Sequence, residues 1–341
     1  MTVLQIAVFL LCSFFGGRGG GPDAKCESEV RRKKSCKMAG ATTTALADAP
    51  PGPGWINPII QTKMAWRDDD VVVSVPAKSG TTWTMNIIHQ LREKGDRNFK
   101  DIYAEVIWCE VVARPGCPVE EMVEKLDNMD NSRPRAFKTH SSPPTLPFHD
   151  KVKYVVVARN PEEVIVSMNS FIKMHSDTFI EYWQLPLEMF KSPNLQAFYN
   201  GFVKHSGFDK NVFKFVSEWW KLKEKGNVLM LHYSDMVKDH EGSIKKISDF
   251  LGYGPYTNDE WQTILELTSW EWMKANEGRF EATTVWAVPP LVPGGMMRQG
   301  SSGLARKEGM NESMANDIRE RGKEELTNDV ALQWLYNGGD F

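Results

Sequence analysis

Val71–Arg92, VVVSVPAKSGTTWTMNIIHQLR, joins a strand signal to a helix signal through a short turn of small and polar residues. Val71–Val75 is apolar and β-branched apart from Ser74, the composition of a strand buried on both faces. Beyond the turn, Trp83, Ile87, Ile88 and Leu91 recur at helical spacing. Strand, small-residue turn and helix make an anion site, because N–H groups at the helix start converge on the ligand and the helix dipole favours negative charge. Gly80 lets the backbone come close to that ligand. Lys78 supplies a positive point charge, and Ser79, Thr81 and Thr82 supply hydroxyl donors. The order is not that of a Walker A loop, which needs Gly, four residues, then Gly-Lys-Ser/Thr. Here the lysine precedes the glycine and position 75 is Val, so the lysine enters from the other side of the loop. The plain alternative is an ordinary strand–helix turn with a solvated lysine.

The 341 residues allow one large domain or two small ones. The charged and apolar fractions, 25% and 41%, are ordinary for a globular protein. A net charge of −3 implies no general polyanion-binding surface and no nucleic-acid partner, so an anionic ligand needs a local basic pocket. Cys12, Cys26, Cys36, Cys109 and Cys117 show neither metal-type spacing nor a disulfide framework, which points to a reducing, cytoplasmic compartment. Residues 1–54 read as a flexible or targeting-like extension. Val3–Phe15 is an apolar run too short to span a membrane comfortably, and no Lys or Arg precedes it. It leaves a targeting or secretory route open beside two other readings, an interfacial anchor and an upstream extension with a working start near Met38. No stable membrane span is expected.

Residues 55–341 read as one α/β domain. Asp101–Ala113 is partly helical, and Glu120–Asp127 is a short amphipathic helix. Ala136–His140 is a short strand, and Val152–Ala158, VKYVVVA, is the centre of a parallel sheet. Arg159 follows that strand, then Asn160 as an N-cap, Pro161 at the first helical position and Glu162 and Glu163 in the first turn, of a helix running to about Met174. Residues 176–210 form an irregular insertion or lid. Val212–Lys225 is a helix that Gly226 ends. Val228–His232 is a strand, and Ser243–Leu251, Glu260–Leu267 and Glu312–Leu326 are helices. Arg279–Arg298, with Pro289, Pro290 and Pro293, reads as a mobile loop covering a ligand. Strands alternating with helices predict a three-layer fold with a central, mostly parallel sheet. Ligands of such sheets bind beyond the carboxyl ends of the strands, where Pro76–Trp83, His140, Arg159 and Tyr233 all lie.

PAKSGTTW resembles the 5′-phosphosulfate loop, usually YPKSGTTW, of sulfotransferases that use PAPS (3′-phosphoadenosine 5′-phosphosulfate); Ala77 stands where that proline would be. AFKTHSSPP is similar to the LKTHLP segment of the cytosolic-type family, and YVVVARNPEEVIVS to its VYVARNPKDVAVS segment. SEWW, HYSDM and TSWEWM follow in the expected order, so the resemblance runs from about Trp55 to about Gly300. It implies a P-loop-like fold, PAPS as sulfuryl donor, no metal, and a small-molecule acceptor bearing a hydroxyl or amine. It implies His140 as general base, with Lys78 and Lys138 stabilising charge on the departing phosphate. It implies Arg159, Ser167 and Arg298 at the 3′-phosphate, Gly300 in the same donor site, and Trp83, Tyr233 and Thr268 at the adenine.

Each role has a plainer alternative. A histidine at a strand end is often structural, as the remaining histidines are taken to be, and Arg159 can serve a salt bridge to Glu162 or Glu163. An imidazole titrating near neutrality suits a base, and Lys138 alternates to the same side of its strand as His140. Gln299 replaces the lysine of the family's Arg-Lys-Gly tripeptide; Arg306 or Lys307 could restore the charge. The segment SSGLARKEGMNES departs from the family's continuation, and the family's dimerisation motif is not recognisable, which leaves dimerisation open. Competing functions are a non-catalytic nucleotide-binding protein of the same fold and a P-loop kinase, which would need a Walker A loop and an acidic magnesium site. The acceptor pocket is expected from the segments near 103–115, 171–200 and 280–295.

Overall fold

The computed structural model describes residues 54–341. The predicted extension, residues 1–54, lies outside them except for its last residue. Five strands, β1 (Val71–Ser74), β2 (Ile107–Trp108), β3 (Ala136–Thr139), β4 (Lys153–Ala158) and β5 (Val228–His232), form a wholly parallel sheet in the order β2-β3-β1-β4-β5. The side-chain period of two sorts each strand between two apolar layers. Val71, Val73, Val155 and Val157 face one core, while Val72, Tyr154, Val156 and Ala158 face the other.

On the first face lie helices α1 (Thr81–Glu93), α4 (His240–Leu251) and α5 (Asn258–Leu267), packing Met85, Ile88, Ile247 and Ile264. On the second lie α2 (Pro161–Ile172), α3 (Phe208–Trp220), α6 (Glu312–Lys323) and α7 (Asp329–Asn337), packing Ile165, Phe213, Trp219, Ile318 and Leu335. Ser74, the one polar residue of β1, is fully satisfied: its hydroxyl donates to the Ser141 carbonyl at 2.8 Å and accepts from the Trp219 indole at 2.9 Å. Asn160 caps α2 as expected, accepting from the Glu162 N–H.

Several expectations need correction. The 101–113 segment is partly helical as expected, over Ile102–Glu105, but it also supplies the edge strand β2, which was not expected. Helix α3 begins at Phe208 and ends at Trp220, with turns rather than helix leading to Gly226. Helix α5 starts two residues early, because Thr257 and Glu260 form a reciprocal capping box. Helix α7 went unread. No helix among the described residues is long and apolar enough to cross a membrane.

The amino ends of β1 and β3 are clamped by a buried ion pair. Arg135 donates to both oxygens of Asp70, at 2.8 and 2.6 Å, and to the carbonyls of Leu126 and Ala65. Removing one partner strands the other charge in a dry interior. Arg135→Met should therefore lose about 3–5 kcal/mol of stability in urea denaturation, and Asp70→Leu together with Arg135→Met should recover most of the loss.

Candidate active site

Parallel pairing without offset (Ser74 opposite both Thr139 and Val156, Ala158 opposite His232) brings the strand ends to one rim. Above it lies a cavity of about 710 Å³. Lys78, Thr81, Thr82, Trp83, Lys138 and His140 line it, joined by Arg159, Ser167, Tyr233, Arg298 and Gly300.

The loop after β1 is shaped for a close-lying ligand. Gly80 has φ 97 and caps α1, and a Cβ there would stand 2.8 Å from Tyr233 Cδ2. Lys78 also takes a positive φ, 67, which a lysine adopts only under constraint. The hydroxyls of Ser79 and Thr81 are buried without a hydrogen-bond partner. Orphaned donors beside a helix start, in a cradle that only glycine completes, fit the terminal oxygens of a phosphosulfate.

His140 is held from two sides. Its Nδ1 lies 2.7 Å from the Val75 carbonyl, which can only accept, so the ring hydrogen sits on Nδ1 and Nε2 carries the lone pair. Lys138 Nζ lies 2.8 Å from Nε2 and 3.2 Å from the centre of the Trp108 ring. Burial, reinforced by Lys138, pushes the His140 pKa well down, so the imidazole stays neutral at physiological pH. Burial likewise drives Lys138 well down, and it lowers Lys78 to about 7 with help from Arg159 and Arg298. These are cations short of an anion.

Arg159 makes the salt bridge of its plainer reading and also faces the cavity. It pairs with Glu163 at 2.9 Å, yet it lines the cavity, donates to the Lys78 carbonyl and covers the Tyr233 ring at 4.4 Å. Arg298 pairs with Glu308 at 2.7 Å and also lines the cavity. Neither Arg306 nor Lys307 restores the charge missing at Gln299. Arg306 pairs outside the cavity with Glu162 and Glu312, and Lys307 is exposed and does not line it. Trp83 and Tyr233 meet edge to face, with His240 stacked on Trp83. Thr268 and Ser79 do not line the cavity. The Thr268 hydroxyl donates to the Ile264 carbonyl and its carbonyl accepts from Trp83, so its part is to seat the indole. His175 and His240, taken as structural in the sequence, both line the cavity.

Glu110 was also missed. It is 1% exposed and sits just beyond β2. One carboxylate oxygen accepts from the His140 N–H at 2.8 Å and the Trp108 indole at 3.1 Å; the other accepts from Thr139 and Ser141 hydroxyls at 2.6 and 2.7 Å. This one side chain fixes the backbone of His140 and the ring beneath Lys138. A lone glutamate beside a short edge strand carries no sequence signal.

A neutral imidazole, two buried lysines and an anion cradle share this cavity, an arrangement suited to group transfer from an anionic donor. The family model described as the sulfotransferase domain matches residues 68–329. Sulfotransferase 1A1 of Bos taurus is 32% identical over 248 residues, covering 70% of this chain and 77% of that protein. Sulfotransferase 2A2 of Rattus norvegicus is 30% identical over 222 residues, 63% of this chain and 70% of the relative. Mouse sulfotransferase SULT7A1 complexed with PAP superposes with TM-score 0.60 at 23% identity, covering 81% of this chain and 90% of that one, a likeness of fold. The chain belongs to the sulfotransferase family. It is an enzyme that transfers a sulfuryl group to an acceptor.

Glu110→Ala should lower kcat by about 10²-fold through displacement of His140 and Trp108, while affinity for adenosine 3′,5′-bisphosphate, measured by calorimetry, changes far less. Glu110→Gln, which keeps one acceptor oxygen, should recover part of the loss.

Proposed function

We propose that the chain sulfates a hydroxyl of an apolar small molecule, with His140 as base and Lys78 and Lys138 stabilising the negative charge that develops on the departing phosphate. The observation that carries this reading is the His140 lone pair, held on Nε2 in the same cavity as the Lys78 loop. Sulfuryl transfer has demands like those of phosphoryl transfer, a loose transition state with attacking and leaving oxygens in line, so positioning and charge stabilisation supply most of the rate. PAPS supplies the activated sulfuryl group. Backbone N–H groups at the start of α1 and the Thr81 and Thr82 hydroxyls would hold its phosphosulfate, and Arg159, Ser167 and Arg298 its 3′-phosphate. Trp83 and Tyr233 would take the adenine face.

A hydroxyl is favoured over an amine by charge. Lys78, Lys138, Arg159, Lys274 and Arg298 line the cavity, against Glu271 as its acidic residue among the described side chains. A protonated amine entering this cavity gives up its hydration beside Arg159 and Arg298, which stay charged, while a neutral hydroxyl has no charge to desolvate. Trp108, Phe171, Phe179, Phe190, Trp286 and Leu291 give the rest of the lining its apolar character. They come from the three irregular segments expected to form the acceptor pocket.

Turnover with labelled PAPS across phenols, alcohols and amines tests the reading, and transfer confined to amines would overturn it. His140→Ala should lower kcat by roughly 10²–10⁴-fold and leave adenosine 3′,5′-bisphosphate binding nearly intact by calorimetry. Lys78 provides a separate check. Its lowered pKa, about 7, leaves it largely neutral above that pH, and an adjoining phosphate favours the ammonium and raises the pKa again. Above pH 7, binding of the bisphosphate should therefore take up a proton and weaken as pH rises. Calorimetry in buffers of different ionisation enthalpy measures the uptake, which Lys78→Met should abolish.

A further inference from the structure

We propose that His175 accepts a hydrogen bond from a second hydroxyl on the acceptor, remote from the one that is sulfated, so that the preferred acceptors are apolar molecules bearing two hydroxyls. This rests on the hydroxyl-sulfation reading above and narrows it.

His175 follows the end of α2 and lines the cavity among aromatic rings, with centroids 5.0 Å from Phe171, 5.3 Å from Phe190 and 5.7 Å from Phe179. Its backbone is bridged to Leu291 of the covering loop. Nδ1 lies 3.1 Å from the Ile172 carbonyl, which places the ring hydrogen on Nδ1. Nε2 therefore carries a lone pair, and no described residue donates to it. Burial holds the pKa down at about 4, so the ring is neutral and Nε2 can only accept throughout the neutral range.

Once an apolar acceptor displaces water from this wall, a lone pair left unmet costs free energy that a phenylalanine of the same shape would not. A ligand hydroxyl removes that cost, and a ligand without one leaves it in place. The position also sets the spacing. The Phe171 ring carries Lys78 Nζ at 3.7 Å from its centre and meets His175 by an edge-to-face contact, so one aromatic ring separates the reacting lysine from this acceptor atom. His175 thus meets the far part of the molecule rather than the oxygen that is sulfated.

The test compares kcat/KM for monohydroxy and dihydroxy partners of increasing span: phenol and hydroquinone, phenylphenol and biphenol, an estrane alcohol and the matching diol. In at least one pair the preference for the diol should fall on the order of 10-fold in His175→Phe. His175→Gln, which retains an acceptor oxygen, should restore part of it, separating the hydrogen bond from packing. A thermal melt confirms that both variants are folded. An unchanged ratio in all three pairs would overturn the subsite while leaving hydroxyl sulfation standing. Absence of turnover of every hydroxyl compound by the unmodified protein would overturn hydroxyl sulfation and the subsite with it.

Discussion

Parallel pairing of β1 with both β3 and β4 is the constraint on which the site depends. Because the three strands run together and in step, the chain leaves each at the same rim, and residues distant in sequence emerge as neighbours. The strand ladder brings the Lys78 loop, His140 and Arg159 together, and the His140–Val75 and Arg159–Lys78 hydrogen bonds then hold them there. The Asp70–Arg135 pair fastens the opposite end of the same strands, so the sheet is pinned at one edge and chemically equipped at the other.

The electrostatics of the rim follow from that crowding. Lysines placed there lose water and gain like-charged neighbours, and both effects disfavour their protonated forms. An anionic donor reverses the imbalance by bringing the charge that the fold leaves out. Glu110 tempers it without cancelling it. Its carboxylate favours the charged form of Lys138, yet its four accepted hydrogen bonds come from the His140 backbone, the Trp108 indole and the Thr139 and Ser141 hydroxyls. The acid acts as a brace first and a counter-charge second.

Sequence made the central strands, the anion loop and His140 legible, because buried parallel strands read as apolar runs and the loop residues follow one of them directly. Lys138 was legible for the same reason, since the alternation of β3 puts it beside His140. What escaped has short range or no periodicity. Strand β2 is two residues long, too short to show a pattern, and Glu110 past its end meets partners about thirty positions later. His175 and His240 read as structural because an isolated histidine usually is, and their exposure to the cavity arises from irregular and distant segments. Thr268 was placed near the adenine by the order of segments, whereas helix geometry turns its hydroxyl back on Ile264. Helix α7 did carry a cap at Asn328 and apolar spacing through Leu332 and Leu335, a signal present and overlooked.

The backbone bridge between His175 and Leu291 has a consequence for how acceptor preference can change. Two more backbone bonds flank it, Ser176 N–H to Pro290 and Val292 N–H to Met174, stitching the start of one irregular segment to the middle of another more than a hundred residues away. Neither side of the seam can be recut alone. A graft of residues 176–210 from a relative inherits edges tailored to a different counterpart. A chimera that exchanges both stretches together keeps the backbone course of the seam intact.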